Sequence, residues 1–406
     1  MSAIVQRRGA APTDRPSTRA WLAVSSLALV AFVIVTTEFI PVGLLPNITE
    51  SLHVSLGLGG LMVLVPALTA AVSAPLLYLG ARSYNRRRLI AVLGGLVVVA
   101  NVIPPFASNL TEILLARILL GIAIAGFWTV VPPLGPKLVG ERLGTRAQSI
   151  VIAGVSAGTV VGLPAGQFLG NAVGWRVTFA VAAAVSAVVV IAQLVFLPDI
   201  HPEATTRARD LGRVFRSGTA RIGLTVTVIA FVGQFAASTY LTPFLEDFAH
   251  LGGGSVSVVF LAYGVGGILG TLIGGALVGR SLVFSLVGAT GIIGVIVLAM
   301  PILHPAPAVV GVLIVGWGLV WGVIPLAAQL WLLQAVPDGQ EAAASIAVAT
   351  MQVSIAGGSA LGGLLVDSTS LRTVFVTAGA VLIAAAVIAA TEGVRQNKNP
   401  VSTKGL

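Results

Sequence analysis

The stretch PDIHPEATTRARDLGRVFRSGTAR, from Pro198 to Arg221, is the longest polar segment of a chain otherwise dominated by apolar runs. It lies near the middle of the 406 residues and leaves six apolar runs before it and six after it. A helix needs about 20 mostly apolar residues to cross a bilayer, and each run supplies them. The twelve runs cover residues 22–45, 56–79, 89–107, 110–133, 147–170, 176–197, 220–244, 256–279, 282–303, 308–334, 342–366 and 373–391.

The composition is that of an integral membrane protein. Hydrophobic residues make up 56% of the chain and charged residues only 9%, whereas soluble domains carry about 25% charged residues. The chain has no cysteine, which excludes disulfides, thiolate nucleophiles and cysteine-based metal sites. We therefore expect an all-α membrane protein of twelve transmembrane helices. Its predicted parts are a tail (1–21), a six-helix bundle (22–197), a linker (198–219), a second six-helix bundle (220–391) and a second tail (392–406).

The basic residues indicate how the chain lies in the membrane. Of its 23 lysines and arginines, 20 fall in segments on the side of the N-terminus, two (Arg176 and Arg372) fall on the other side, and Arg117 lies within a run. Cytoplasmic loops are enriched in Lys and Arg, so this distribution predicts that both termini face the cytoplasm. The net charge of +9 thus reflects topology, and we expect no nucleic acid partner. The predicted location is the bacterial cytoplasmic membrane.

The two halves of the chain are internally similar at an offset of 196 residues. The matching pairs are Gly162 with Gly358, Gly166 with Gly362, Arg176 with Arg372 and Phe179 with Phe375. Parallel repeats of six helices are one architecture of secondary transporters, with the substrate site near the midplane between the halves. We therefore expect two six-helix pseudo-repeats around a central cavity.

The fifth apolar run carries glycines at every fourth position, with Pro164 among them. They are Gly154, Gly158, Gly162, Gly166 and Gly170. Small residues at this spacing let another helix approach closely. Close packing explains the stripe, and a compatible hypothesis places it between the two halves, where they must move against each other.

Several motifs resemble those of the major facilitator superfamily, specifically its twelve-helix drug:proton antiporters and, among them, the bacterial sugar efflux transporters. They are TTEFIPVGLLP (36–46), ARILLGIAIAG (116–126) with the R-x-x-x-G spacing of Arg117 and Gly121, GTVVGLPAG (158–166), GWRVTF (174–179) and WGLVWGVIPLAAQLW (317–331). The resemblance implies proton-coupled efflux of small polar solutes, with sugars as the first expectation, by a monomer that needs no cofactor. A multidrug or nucleoside exporter of the same family is the alternative. Direction of transport is implied by the resemblance alone.

One loop departs from the family pattern. The superfamily's G-x-L-x-D-R-x-G-R-R motif is matched here by YLGARSYNRRR, which places Arg82 in the Asp position while keeping Arg86 and Arg87. In the family that Asp receives hydrogen bonds which lock the cytoplasmic side. The arginines are therefore candidate gating residues that bond helix ends or lipid phosphates, with a purely topological role as the alternative.

Glu38 and Arg117 are the only charged residues deep inside apolar runs. A charge at mid-bilayer costs at least about 2.5–3.5 kcal/mol, so such residues indicate a functional site. Each lies seven residues from the outer end of its run, or roughly 10 Å deep at 1.5 Å per residue. Arginine does not titrate in proteins, so Glu38 is the candidate proton carrier and Arg117 its partner. The alternative is a structural ion pair between the first and fourth helices.

The second half has no charged pair and offers aromatic, amide and hydroxyl groups instead. The candidate substrate-binding residues are Gln234, Tyr240, Tyr263, Trp317, Trp321 and Gln329. Aromatic faces and amides suit a neutral polyhydroxylated solute. An intramembrane enzyme is disfavoured because His53, His201, His250 and His304 all lie outside the apolar runs, and no metal site is expected.

Overall fold

A computed structural model describes residues 17–80, 84–131, 134–200, 209–303, 306–336 and 340–398. Across these residues the long elements are all helices and no strand occurs, which confirms the all-α fold. Twelve helices are long and apolar enough to cross a membrane. We number them α1 to α12 in chain order: Thr18–Gly43, Leu56–Gly80, Arg86–Val102, Leu110–Val130, Glu141–Val173, Trp175–Phe196, Gly218–Ser238, Gly253–Arg280, Leu282–Leu303, Pro307–Ala335 (interrupted at Gly322), Gln340–Ser368 and Leu371–Lys398.

The turns between α1 and α2 and between α11 and α12 lie at the end of the bundle that the charge distribution predicts to face away from the cytoplasm. We call it the outer end. The start of α4 is fixed here by a capping box, in which the Asn109 side chain accepts from the Glu112 N–H and the Glu112 carboxylate accepts from the Ser108 N–H. This cap fixes the depth of Arg117, two turns further along α4.

The glycine stripe of α5 packs against α1. A β-carbon added at Gly154 would lie 2.1 Å from the carbonyl oxygen of Ala28, and one at Gly158 would lie 2.6 Å from that of Phe32. Pro164 lies within the helix among these glycines. Because α1 belongs to the same half as α5, the hypothesis that the stripe lies between the two halves is wrong. The stripe allows two helices of one bundle to approach backbone to backbone.

The second half repeats this packing at the same offset. A β-carbon at Gly166 of α5 would lie 2.9 Å from the carbonyl oxygen of Ile40 in α1. One at Gly362 of α11 would lie 2.6 Å from the carbonyl oxygen of Ala236 in α7. Both members of the second pair are shifted by 196 positions from the first, which confirms the two six-helix pseudo-repeats.

The two halves meet through α2 with α11 and through α5 with α8. In the first contact, the Ser359 hydroxyl donates to the carbonyl oxygen of Gly60 at 2.8 Å. In the second, Gly264 lies so close to α5 that a β-carbon there would be 2.6 Å from the α-carbon of Val160. These contacts enclose a central cavity from its two sides.

At the opposite end of the bundle, the arginine-rich loop is tied to its own half. The Arg87 side chain donates to the carbonyl oxygen of Leu194 near the end of α6 and forms a salt bridge of 3.8 Å with Asp199. Arg86 is the first residue of α3, and Arg82 lies outside the described residues. Arg87 thus bonds a helix end, as the sequence suggested, while a gating role for the three arginines stays a prediction.

Candidate substrate cavity and buried charges

A cavity lies between the two halves, below the outer end. Its lining includes Glu38, Phe39, Val63 and Thr159 from the first half and Gln234, Phe235, Ser238, Tyr263, Trp321 and Ile355 from the second. Among the described residues that line it, Glu38 is the one charged group, and the others supply aromatic rings, aliphatic groups, hydroxyls and an amide. The cavity can therefore present a single carboxylate to a solute held mainly by neutral contacts.

The position of Arg117 is set by a proline in α1. Pro41 has no N–H, so the carbonyl oxygen of Thr37, four residues earlier, lacks its usual helical donor. The Arg117 Nη1 donates to this carbonyl oxygen at 2.9 Å. The sequence signal for this contact is the T-E-F-I-P spacing from Thr37 to Pro41. Since Thr37 adjoins Glu38, α1 and α4 bring the two charged residues to the same depth.

Arg117 and Glu38 do not form a salt bridge, although the structure describes both residues. Arg117 is fully buried, its guanidinium lies 5.1 Å from the ring centre of Phe179, and its Nε and Nη2 atoms have no protein partner. Glu38 is half-buried and faces the cavity. The arrangement does not support a direct structural ion pair and leaves the carboxylate accessible from the cavity.

A buried amide supports the same turn of α1. Asn101 of α3 is fully buried and donates to the Thr37 hydroxyl at 2.9 Å and to the Ser186 hydroxyl of α6 at 3.3 Å. Thr37 thus bonds Asn101 through its side chain and Arg117 through its carbonyl group. This network joins α1, α3, α4 and α6 directly behind Glu38.

Gln234 is the centre of a second buried network. Its Oε1 accepts from the Trp317 indole N–H at 2.7 Å, and its Nε2 donates to the Tyr263 hydroxyl at 3.2 Å. The Tyr263 and Trp317 rings pack edge to face at 6.0 Å. Gln234 and Tyr263 line the cavity, whereas Trp317 is fully buried behind them. Trp317 therefore orients the amide of Gln234 and does not line the cavity itself.

Trp321 forms the aromatic part of the wall. Its ring packs edge to face against Phe231 at 5.1 Å and against Phe235 at 6.0 Å. Phe39 and Phe235 also line the cavity, and sequence reasoning missed both. Apolar helices contain many phenylalanines, and only the helix rotation distinguishes those that face a cavity.

The two remaining substrate candidates lie elsewhere. Tyr240 is fully buried beside α11, where its hydroxyl donates to the carbonyl oxygen of Ser359 at 3.1 Å. Gln329 is exposed in the second segment of α10. Neither is part of the lining described above.

Within the part of the chain that the structure describes, five side-chain hydrogen bonds join the two halves at the outer end. They are Ser55 to Asp367, Gly57 to Asp367, Gln167 to Glu246, Thr242 to Val42 and Ser359 to Gly60. Asp367 and Glu246 are carboxylates of the second half that accept from neutral donors of the first. Sequence reasoning missed both acids, because they fall at helix ends and in a loop, where charged residues are normally solvated.

Comparison with known families agrees with this architecture. The family model described as Major Facilitator Superfamily matches residues 27–352. The chain is 33% identical over 375 residues to the "Transcription regulatory protein OpdE" of Pseudomonas aeruginosa, an alignment that covers 91% of this chain and 92% of that protein. It is 28% identical over 385 residues to the "Purine ribonucleoside efflux pump NepI" of Escherichia coli K12, covering 95% of this chain and 96% of that protein.

Two solved structures share the fold. A D-xylose–proton symporter superposes with a TM-score of 0.74 at 14% identity, covering 91% of this chain and 96% of that one. A bacterial homologue of the human lysosomal transporter Spinster, in an inward-facing and unoccupied conformation, gives a TM-score of 0.67 at 14% identity, covering 94% and 96%. At this identity the likeness concerns the fold alone.

Proposed function

The chain belongs to the Major Facilitator Superfamily, and from this premise we propose that it exports a small polar solute in exchange for protons, with a purine ribonucleoside as the best-supported substrate. The observation that carries the proposal is the cavity wall, where the single carboxylate of Glu38 faces the neutral aromatic and amide surface of the other half. A wall of this kind can bind a proton on one side and an uncharged solute on the other.

The choice of a nucleoside rests on chemistry and on similarity. Bases stack on aromatic side chains with about 1–3 kcal/mol each, and Trp321 with Phe235 offers such a surface. The Gln234 amide and the Ser238 hydroxyl, which also line the cavity, suit ribose hydroxyls. The likeness to a purine ribonucleoside efflux pump over 95% of this chain favours the same substrate class.

Sugar export, the first expectation from sequence, is the second candidate. Aromatic faces next to amides and hydroxyls also suit a free sugar, whose C–H face packs on a ring. A broad exporter of cationic drugs is disfavoured because Glu38 is the one carboxylate among the described residues of the cavity wall.

Glu38 is the proposed proton carrier. It binds a proton when the cavity opens outward and releases it when the cavity opens inward. The negative charge that then remains on Glu38 is balanced by the nearby cation of Arg117. One proton moving down 100 mV provides about 2.3 kcal/mol. A tenfold ratio of solute concentrations corresponds to roughly 1.4 kcal/mol, so this free energy supports about a fiftyfold solute gradient. The protein acts as a monomer in the bacterial cytoplasmic membrane, with both termini in the cytoplasm.

The test is transport in proteoliposomes with an imposed pH gradient. Inosine, arabinose and a lipophilic cation are offered in parallel, and we expect gradient-dependent accumulation of inosine. Accumulation of arabinose alone would select the sugar candidate, and accumulation of the cation alone would contradict both candidates.

The Glu38→Gln variant tests coupling in the same assay. It should lose accumulation against a gradient while still exchanging labelled for unlabelled substrate. The matched control is Glu50→Gln, which changes an exposed glutamate at the outer end. If Glu38→Gln accumulates substrate as well as the control does, Glu38 is not the proton carrier.

A further inference from the structure

The N-terminus of α2 is capped by a residue from the opposite half. Ser55 precedes the helix, and its side chain accepts from the N–H of Leu58 at 3.2 Å. The N–H of Gly57 donates to the carboxylate of Asp367, at the end of α11, at 2.9 Å. The Ser55 hydroxyl donates to the second oxygen of the same carboxylate at 2.5 Å. Asp367 therefore satisfies donors in the first turn of a helix that lies 310 residues away in sequence.

Glycine makes this approach possible. A β-carbon at Gly57 would lie 2.3 Å from the Asp367 carboxylate and 2.5 Å from the carbonyl oxygen of Gly363. A β-carbon at Gly363 would in turn lie 3.1 Å from the carbonyl oxygen of Gly57. The two glycines bring the backbones of α2 and α11 together, and the carboxylate spans the remaining gap. The contact therefore consists of two glycines, Gly57 and Gly363, and the carboxylate of Asp367.

The chemistry of the contact favours a reversible bond. Hydrogen bonds to an ionised acceptor are about twice as strong as neutral ones. A helix N-terminus carries roughly half a positive charge, which attracts the carboxylate. Asp367 is nevertheless exposed at the surface, so water can replace both of its partners when the halves separate. The bond therefore stabilises closure without making it permanent.

We propose that Asp367 is the latch that holds the outer end of the transporter closed. It caps α2 from the second half in the closed state and releases the cap when α2 and α11 move apart. The family motif at the other end of the bundle has Arg82 where an Asp serves as a lock, whereas the carboxylate of Asp367 joins the two halves at the outer end. The inference rests on alternating access in the proposed function.

A distance measurement across the outer end tests the latch without any substrate. Glu50→Cys in the first half and Gly252→Cys in the second provide two exposed sites for spin labels. An added side chain at Gly252 meets no atom within 4 Å, and the chain contains no other cysteine. Pulsed electron paramagnetic resonance in lipid nanodiscs then reports the ratio of open to closed molecules.

We expect Asp367→Ala to raise the ratio of open to closed molecules about tenfold, since a hydrogen bond to a charged group typically contributes that much or more. Asp367→Asn keeps one acceptor but loses the charge, so its ratio should lie between those of the wild type and the alanine variant. The matched control is Ser368→Ala, because Ser368 is an exposed neighbour that bonds only within α11, to the carbonyl oxygen of Leu364. An Asp367→Ala distance distribution identical to that of the control overturns the proposal.

A cross-link provides the second test, and it does not depend on the stability of the alanine variant. A disulfide between Ser55→Cys and Asp367→Cys should abolish transport when oxidised, and its reduction should return transport to the level of the Asp367→Ala variant. Full transport by the completely oxidised protein would also overturn the latch. A shift in distance without any transport activity would support the latch and contradict the proposed function, so the two failures are distinguishable.

Discussion

Arg117 donates a hydrogen bond of 2.9 Å to the carbonyl oxygen of Thr37, the residue that precedes Glu38. The carbonyl is free because Pro41 lacks the N–H that would occupy it. Glu38 is thereby left facing the cavity without a salt bridge to the cation. A backbone acceptor keeps its charge state at every pH, so Arg117 holds its place whether or not Glu38 carries a proton.

Replacing Arg117 with methionine should separate stability from coupling. Removing a mid-membrane arginine recovers about 2.5–3.5 kcal/mol, whereas leaving the Thr37 carbonyl oxygen without its donor costs about 1–3 kcal/mol. We expect Arg117→Met to unfold in detergent at the same temperature as the wild type or a higher one. The same variant should lose pH-driven accumulation, since no cation then balances the ionised Glu38.

The control for this variant is Arg176→Met, in which the lost arginine is exposed at the outer end and stacks on Trp175 at 4.1 Å. It should retain accumulation. If Arg117→Met also retained it, the role of Arg117 in coupling would have to be abandoned.

The packing of α5 on α1 predicts a sharp difference between two glycines of the same half. Gly158→Ala places a β-carbon 2.6 Å from the carbonyl oxygen of Phe32, so the two helices must separate. Overpacking of this kind costs typically 1–3 kcal/mol, and thermal unfolding should begin at a lower temperature. Gly95→Ala meets no atom within 4 Å and gains helix propensity, so its unfolding temperature should be equal or higher. Equal destabilisation of the two variants would mean that the close approach is unimportant.

The sequence predicts the helices and the repeat well, because both depend on local patterns. Twelve apolar runs become twelve helices, and the glycine spacing of α5 recurs in α11. The neighbour that a glycine stripe contacts depends on the rotation of its helix. The sequence does not show this rotation when all faces of a membrane helix are apolar. For this reason the sequence predicts that the stripe packs closely against a helix, but it does not identify that helix as α1.

Gln329 shows a second limit of prediction. Its predicted place among the substrate-binding residues assumes a continuous tenth helix, but α10 is interrupted at Gly322. Gln329 lies in the segment after this interruption, and it is exposed. Asp367 and Gln167 illustrate a third limit, since their partners are distant in sequence and lie in the other half.

Trp317 should affect substrate affinity without touching the substrate. Trp317→Phe removes the donor to the Gln234 amide at 2.7 Å and frees that amide to rotate. A hydrogen bond contributes about 0.5–1.5 kcal/mol, so we expect KM to rise roughly two- to tenfold with little change in the maximal rate.

The matched control is Trp331→Phe, which removes an indole hydrogen bond to the carbonyl oxygen of Thr219, away from the cavity lining. Its KM should equal that of the wild type. A similar rise in both variants would indicate general destabilisation rather than orientation of Gln234.

Substitutions of Glu246 and Asp367 should shift the outer end in opposite directions: Glu246→Gln should favour the closed state, whereas Asp367→Ala should favour the open state. Burial raises the pKa of the Glu246 carboxyl above its usual range, the hydrogen bond from Gln167 lowers it, and the adjacent Asp247 raises it again. When the halves separate, water reaches this carboxyl and its pKa falls towards the usual value. The closed state therefore binds the proton more tightly than the open state does. Acid pH should stabilise closure, and this contribution is lost as the pH rises through the raised pKa.

The spin-label pair Glu50→Cys and Gly252→Cys can measure this dependence. We expect the ratio of open to closed molecules to fall as the pH is lowered through the range just above that of ordinary carboxylates. In the Glu38→Gln background, where the proposed proton carrier cannot titrate, Glu246→Gln should remove this dependence and favour closure at every pH, since its neutral amide can still bond the amide of Gln167. Asp247→Asn, which changes the exposed neighbour, should keep the dependence. A pH response that persists in Glu246→Gln would assign the titration to another group.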